Sequence, residues 1–224
     1  MTAPVTVRKL LLLRHGQTVY NAESRMQGQL DTALSPLGED QAARAAVVLA
    51  RCKPVAIVSS DLHRAYDTAV ALGDEAGMGV VTDVRLRETH LGEWQGWTHS
   101  DVDAKHPGAR AQWRLNATLS PPGGESRVDV AQRSVPVVEE LLARYDNGDA
   151  DLAAWNDRPV VLVAHGGLIS ALTAKLLDLP VSHWQILGGL GNASWVQLSH
   201  FSNTGLWRLD VWNSSAEVAP DVSL

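Results

Sequence analysis

Apolar residues cluster along this chain in short runs separated by longer stretches of mixed polarity. Residues 9–13, 55–59, 160–164, 194–198 and 206–211 read as strands, with 80–82 a weaker sixth. Three of these runs are continuously apolar, the pattern of strands covered on both faces. Helical patterns fall between them. Residues 36–51 are Ala-rich, with Ser35 as N-cap and Pro36 in the first turn. Residues 62–75 follow the second strand directly, capped by Ser60 or Asp61. Residues 127–145 carry apolar positions at Val130, Val137, Val138, Leu141 and Leu142, with a kink expected at Pro136. Residues 167–177 follow the strand at 160–164. This alternation predicts an α/β fold with three layers, α/β/α, around a mainly parallel sheet flanked by helices.

Two stretches break the alternation. Residues 92–124 are rich in Trp, Pro and Gly and read as an inserted lid. Residues 146–158 are acidic and read as a solvated loop. No repeat, low-complexity tract or linker divides the 224 residues. One domain spanning 1–224, with the insertion at about 92–124, is therefore expected rather than two domains.

The candidate chemistry lies where strands end, the place where ligands bind in open α/β sheets. The first strand runs into Arg14-His15-Gly16. Arg14 offers a planar fork suited to phosphate oxygens, and His15 is a candidate nucleophile or proton carrier. The strand at 160–164 repeats the design with His165-Gly166-Gly167. Two histidines at parallel strand ends are placed to face each other across one site. Arg64 lies in the first turn of the helix after the second strand, where free N–H groups favour anions. Glu88 and Glu93, in the loop after residues 85–87, are both candidate general acids on spacing alone. Together these groups suit a phosphate monoester and covalent phosphoryl transfer. The chain carries neither a Walker loop nor a carboxylate cluster for magnesium, so no metal or other cofactor is expected.

Composition changes this picture only at its edges. The net charge of −6 disfavours whole-surface binding to nucleic acid or to an anionic membrane, but permits a local arginine pocket. The one cysteine, Cys52, excludes an internal disulfide and is expected at a core boundary. The apolar run at residues 10–13 is too short for a signal peptide, and no run is long enough to span a bilayer, so a cytoplasmic location is the default. Eight Trp against one Phe is unusual. The Trp-rich insertion or tail is expected to close a homodimer.

Arg14 to Thr18 (Arg-His-Gly-Gln-Thr) after a strand, with the partner His165-Gly166, resembles the histidine phosphatase, or phosphoglycerate mutase-like, superfamily. The resemblance runs from about residue 10 to 211. It implies that His15 is the phosphorylated nucleophile, that Arg14, Arg64 and His165 form the phosphate pocket with Asn21, and that Glu88 is the proton donor. Gln27 matches a substrate-contacting position in some members. Stretches outside this set, including 24–32, 86–92, 123–130, 191–195 and 207–213, carry the resemblance toward phosphatases acting on a phosphorylated glycoside. Such a small-molecule substrate has one phosphate, one carboxylate and a neutral sugar. Arg25, Arg87 or His90 is expected to meet the carboxylate, and Trp94 or Trp97 to pack on the sugar. The alternatives are a phosphoglycerate mutase and a broad-specificity phosphomonoesterase on the same fold. A mutase needs anchors for a second phosphate, and Lys105, Arg110 and Arg114 lie in the insertion without the adjacent-arginine pattern of mutases.

Overall fold

A computed structural model of the chain describes residues 5–216. In chain order, β1 (Val7–Arg14) leads through the single turn α1 (Val19–Ala22) to α2 (Pro36–Ala50). Then come β2 (Ala56–Ser59), α3 (His63–Ala76), β3 (Val81–Thr82), α4 (His99–Lys105), α5 (Ala109–Leu115) and α6 (Arg127–Asp146). The chain ends with β4 (Val160–Ala164), α7 (Gly166–Leu176), β5 (Trp195–Phe201) and β6 (Trp207–Ser214). Among the described residues no helix is long and apolar enough to cross a membrane.

The six strands form one sheet in the order β3-β2-β4-β1-β5-β6. The first four are mutually parallel; β5 joins β1 antiparallel, and β6 joins β5 antiparallel. The parallel part follows from the helical crossovers. The antiparallel edge follows from the short link between β5 and β6, which leaves no room for a crossover helix. Successive leucines of β1 face opposite sides of the sheet. Leu10 and Leu12 pack with Val130, Val138, Leu168 and Leu172 of α6 and α7. Leu11 and Leu13 pack with Ala45, Leu49, Ala69 and Leu72 of α2 and α3. All four leucines are at most 2 % exposed, which explains why the run shows no alternation. Truncating any one of them to Ala is expected to cost about 2–5 kcal/mol.

Several local expectations are corrected. Leu62, not Ser60 or Asp61, stands at the N-cap of α3 and makes no side-chain cap bond. Cys52 is exposed rather than at a core boundary. Residues 146–158 are not a purely solvated loop: Leu152 and Trp155 are buried in the main core, and the Trp155 indole N–H donates to the Lys9 carbonyl at 2.8 Å. One inward-turned tryptophan outweighs the acidic composition around it.

The 92–124 stretch holds α4 and α5, and its Trp94 and Val102 are buried with Met26 and Leu91 in a small separate core. Trp94 and Trp113 meet edge to face, 5.9 Å between centroids. Its backbone is tied to the loop after α1 by Met26 N–H to Trp97 O (2.9 Å) and Gly96 N–H to Met26 O (2.8 Å).

Candidate active site

The sheet register brings the two histidines together. Arg14 pairs with Ala164 across the parallel β1–β4 ladder, so His15 and His165, the next residues, leave the sheet side by side. Their ring centroids are 5.1 Å apart, and both side chains are buried. His15 Nδ1 lies 2.6 Å from the Gly16 carbonyl oxygen. A carbonyl only accepts, so Nδ1 carries the ring proton and Nε2 keeps its lone pair. His165 Nε2 lies 2.9 Å from Ser60 Oγ, while its Nδ1 is buried with no partner. Burial pushes both histidines well below their ordinary 6.5. The nearby guanidiniums push further, Arg14 then Arg64 on His15, and Arg64 above all on His165. Both rings are therefore neutral at pH 7.

The turn after His15 depends on close backbone packing. A Cβ on Gly16 would stand 2.2 Å from the Gly38 carbonyl oxygen, and one on Gly38 would stand 1.9 Å from that of Gln17. Only glycines let this turn lie against the start of α2.

Arg64 is 1 % exposed. Its guanidinium donates to the carbonyls of Leu30 and Gly28, each at 2.8 Å. Burial lowers its pKa to about 10, against the charge of Glu88, which raises it; it remains a cation at neutral pH. Arg14 donates from its guanidinium to the Leu190 carbonyl. Among the described residues neither arginine forms an ion pair. Neutral carbonyls orient the two guanidiniums without cancelling their charge, which leaves a buried positive field for an anion.

Glu88 sits at the start of α7. Its Oε1 accepts from Thr89 N–H at 2.7 Å and Leu168 N–H at 3.0 Å, and its Oε2 accepts from Gly167 N–H at 3.0 Å. A Cβ on Gly167 would stand 2.6 Å from Glu88 Oε1, so the second glycine after His165 is what lets the carboxylate dock. Glu93, the other sequence candidate, is exposed on the insertion.

Arg14, His15, Asn21, Gln27, Arg64 and Glu88 line one cavity of about 170 Å³. His165 does not line it; its ring packs on His15. Asn21 Oδ1 accepts from Thr18 and from Asn192 Nδ2 (3.1 Å), which leaves the Asn21 amide hydrogens available. Gln27 is turned by Thr32, whose hydroxyl donates to Oε1 at 2.6 Å.

Four supporting residues escaped the sequence reading. Ser60 holds His165. Arg133 donates to the carbonyls of Arg85 and Glu88 while paired with Glu125, and so fixes the strand-end loop that carries Glu88. Gln29 donates to the same Glu88 carbonyl at 3.0 Å. Asn192 reaches both Asn21 and the His15 carbonyl, and Ala193 N–H donates to that carbonyl at 3.0 Å. The stretch 191–195 was the only available signal for Asn192, and it carries no chemistry until β5 lies beside β1. Asn213, in the tail, caps it from behind by accepting Gly191 N–H at 2.7 Å.

The residues expected to meet the carboxylate and the sugar are mostly engaged elsewhere. Arg25 lines the cavity but is paired with Glu23. Arg87 is spent on Asp61 at 2.5 Å. His90 Nδ1 accepts Gly92 N–H. Trp94 is buried in the insertion core, and Trp97 stacks on His106 under the Lys105 ammonium; neither lines the cavity. Trp113 does.

Residues 10–215 match the model of the histidine phosphatase superfamily (branch 1). The chain is 63 % identical to the glucosyl-3-phosphoglycerate phosphatase of Mycolicibacterium vanbaalenii, over 96 % of this chain and 99 % of that protein. It is 62 % identical to the enzyme of the same name from Mycobacterium tuberculosis, over 96 % and 98 %. The solved structure of the mycobacterial glucosyl-3-phosphoglycerate phosphatase Rv2419c in complex with VO3 superposes with a TM-score of 0.88 at 61 % identity, covering 93 % of this chain and 100 % of the other. Register, cavity and relatives agree, and this chain belongs to the histidine phosphatase superfamily.

Proposed function

We propose that the chain is a phosphoric monoester hydrolase that removes phosphate from glucosyl-3-phosphoglycerate, leaving glucosylglycerate, through a phosphohistidine intermediate. The observation that carries the chemistry is the neutral, buried His15 with Nδ1 committed to Gly16 and Nε2 free, beside two unneutralised guanidiniums. The substrate is supported by the names of relatives that match nearly the whole chain.

His15 Nε2 attacks phosphorus in line as the ester P–O bond breaks. Arg14, Arg64 and the Asn21 amide bind the non-bridging oxygens and balance the charge that develops there. Ser60 Oγ, which accepts Leu62 N–H, is hydrogen-bonded to His165 Nε2 and so fixes that ring against His15. Glu88 serves as the general acid that passes a proton to the departing alkoxide. Water next attacks phosphorus, the P–Nε2 bond breaks, and Glu88 recovers a proton from that water. Gln27 contacts the ester. One domain carries all of these groups, and the insertion at 92–124 serves as its lid.

Phosphate release measured with glucosyl-3-phosphoglycerate and p-nitrophenyl phosphate tests this. The glycoside is expected to give a kcat/KM at least about 100-fold higher, because remote contacts are made only by it. Comparable values for the two would overturn the substrate assignment. Failure to trap acid-labile phosphate on His15 would overturn the mechanism.

A further inference from the structure

Beside the small cavity lies a larger one of about 520 Å³, and the two share the lining residues Arg14, Glu88, Leu91, Trp113 and Gly167. Two more arginines line only the larger chamber: Arg114 from α5 and Arg127 from the first turn of α6. Among the described residues neither forms an ion pair. Arg14, which lines both cavities, is likewise free of acids, whereas Arg25 is paired with Glu23, Arg87 with Asp61, Arg110 with Asp103 and Arg133 with Glu125. Of the anchors a mutase would need, Arg110 is thus tied down and Lys105 lies over Trp97.

Arg127 is half-buried and its guanidinium carbon lies 5.4 Å from the centre of the Trp113 ring. One nitrogen donates to the Arg114 carbonyl at 3.1 Å. The rest of its fork is uncommitted. Burial holds its pKa below the ordinary arginine value, with Glu88 opposing. The group is therefore oriented, charged and unneutralised, beside the site of phosphoryl transfer. Glu88 is the one carboxylate lining the chamber.

We infer that Arg127, backed by Arg114 and steadied on Trp113, binds the substrate's carboxylate and so sets selectivity for phosphorylated hydroxy acids over neutral phosphate esters. This rests on the proposed phosphatase reading and adds to it a subsite. A planar fork held on an indole face is suited to bidentate carboxylate binding, whereas a lysine ammonium at that position would make only a point contact.

The test compares 3-phosphoglycerate with glycerol 3-phosphate, which differ in a carboxylate against a hydroxymethyl group. Wild type is expected to prefer 3-phosphoglycerate by kcat/KM. Arg127→Met is expected to lower that preference roughly 30-fold, mainly through KM, as for a lost hydrogen bond to a charged group. Arg127→Lys should recover part of it, and Arg114→Met should give a smaller loss. Thermal unfolding of each variant identifies one that has merely misfolded, in which case the Arg127→Lys ratio decides. An Arg127→Met or Arg127→Lys ratio equal to that of wild type, or no wild-type preference, overturns the subsite. Poor turnover of glucosyl-3-phosphoglycerate alongside a strong 3-phosphoglycerate preference would instead overturn the proposed substrate and keep the subsite.

Discussion

The strand ends and the 92–124 insertion wall the same cavity but are held in place differently. At the strand ends, position is imposed by backbone register: Arg14 opposite Ala164, His15 beside His165, and glycines packed against backbone at about 2 Å from any added Cβ. In the insertion, position comes from a core of four buried residues, a tryptophan pair and a few hydrogen bonds to the loop after α1. The first arrangement tolerates almost no change. The second is locally stabilised and can be repacked. The difference teaches that one cavity can be walled in two ways: the sheet fixes its side chains through backbone register, and the insertion through side-chain packing.

The largest effect expected is at the sheet side. His15→Ala should lower kcat by about 10⁴-fold or more, since among the described residues no second histidine lines the cavity; phosphate release and the absence of trapped phosphoenzyme check it. A residual rate within tenfold of wild type would break the comparison outright. Gly167→Ala should displace the Glu88 carboxylate and lower kcat roughly 10²–10³-fold for alkyl esters, with a smaller loss for p-nitrophenyl phosphate, whose leaving group needs no proton. Equal losses on both esters would mean that the glycine serves packing rather than the acid.

A pH experiment sharpens the same side. His15 and His165 are held neutral in the fold, well below 6.5. Below 6.5 the unfolded chain binds more protons than the folded one, so stability is complete above 6.5 and falls as the pH drops through it. Each histidine contributes a slope of up to about 1.4 kcal/mol per pH unit, so the pair changes the folding constant by up to about a hundredfold per unit. Urea unfolding at pH 7.5 and 5.5 measures this, and His165→Asn should remove that histidine's share of the slope, with His99 and His200 adding smaller contributions of the same sign. An unaltered slope would show that His165 is protonated as readily in the fold as outside it.

The smallest effect belongs to the insertion. Trp94→Ala removes the centre of its core and should raise KM for the glycoside about tenfold, with less change in kcat, because the sheet-borne groups keep their register. A kcat loss as large as that of Gly167→Ala would erase the distinction between the two regions.

Much of the fold was legible because strand-to-loop transitions are local. Four leucines in succession, then Arg14-His15-Gly16, state a doubly covered strand and its reactive end within seven residues. The second histidine motif repeats that pattern, so the pairing of the two could be anticipated. The supporting groups were not legible for the opposite reason. Asn192 meets Asn21 from 171 residues away, and Arg133 reaches the Glu88 carbonyl from 45 away. Neither contact leaves a mark on its own neighbourhood. The tryptophan excess also resolves only in three dimensions. Trp155 and Trp184 belong to the main core and Trp94 to the insertion core, while Trp113 reaches the cavity.

The sequence alone determined the layers, the strand ends and the residue types that face the anion, because hydrophobic period and turn glycines act over a few residues. Tertiary structure decided which carboxylate reaches the cavity, which arginines stay free of acids, and which tryptophan lines the cavity. Those outcomes depend on long-range packing and on competition for partners. Arg87 is a carboxylate-binding candidate in the sequence, and only the fold, by bringing Asp61 to it, shows that it is already paired.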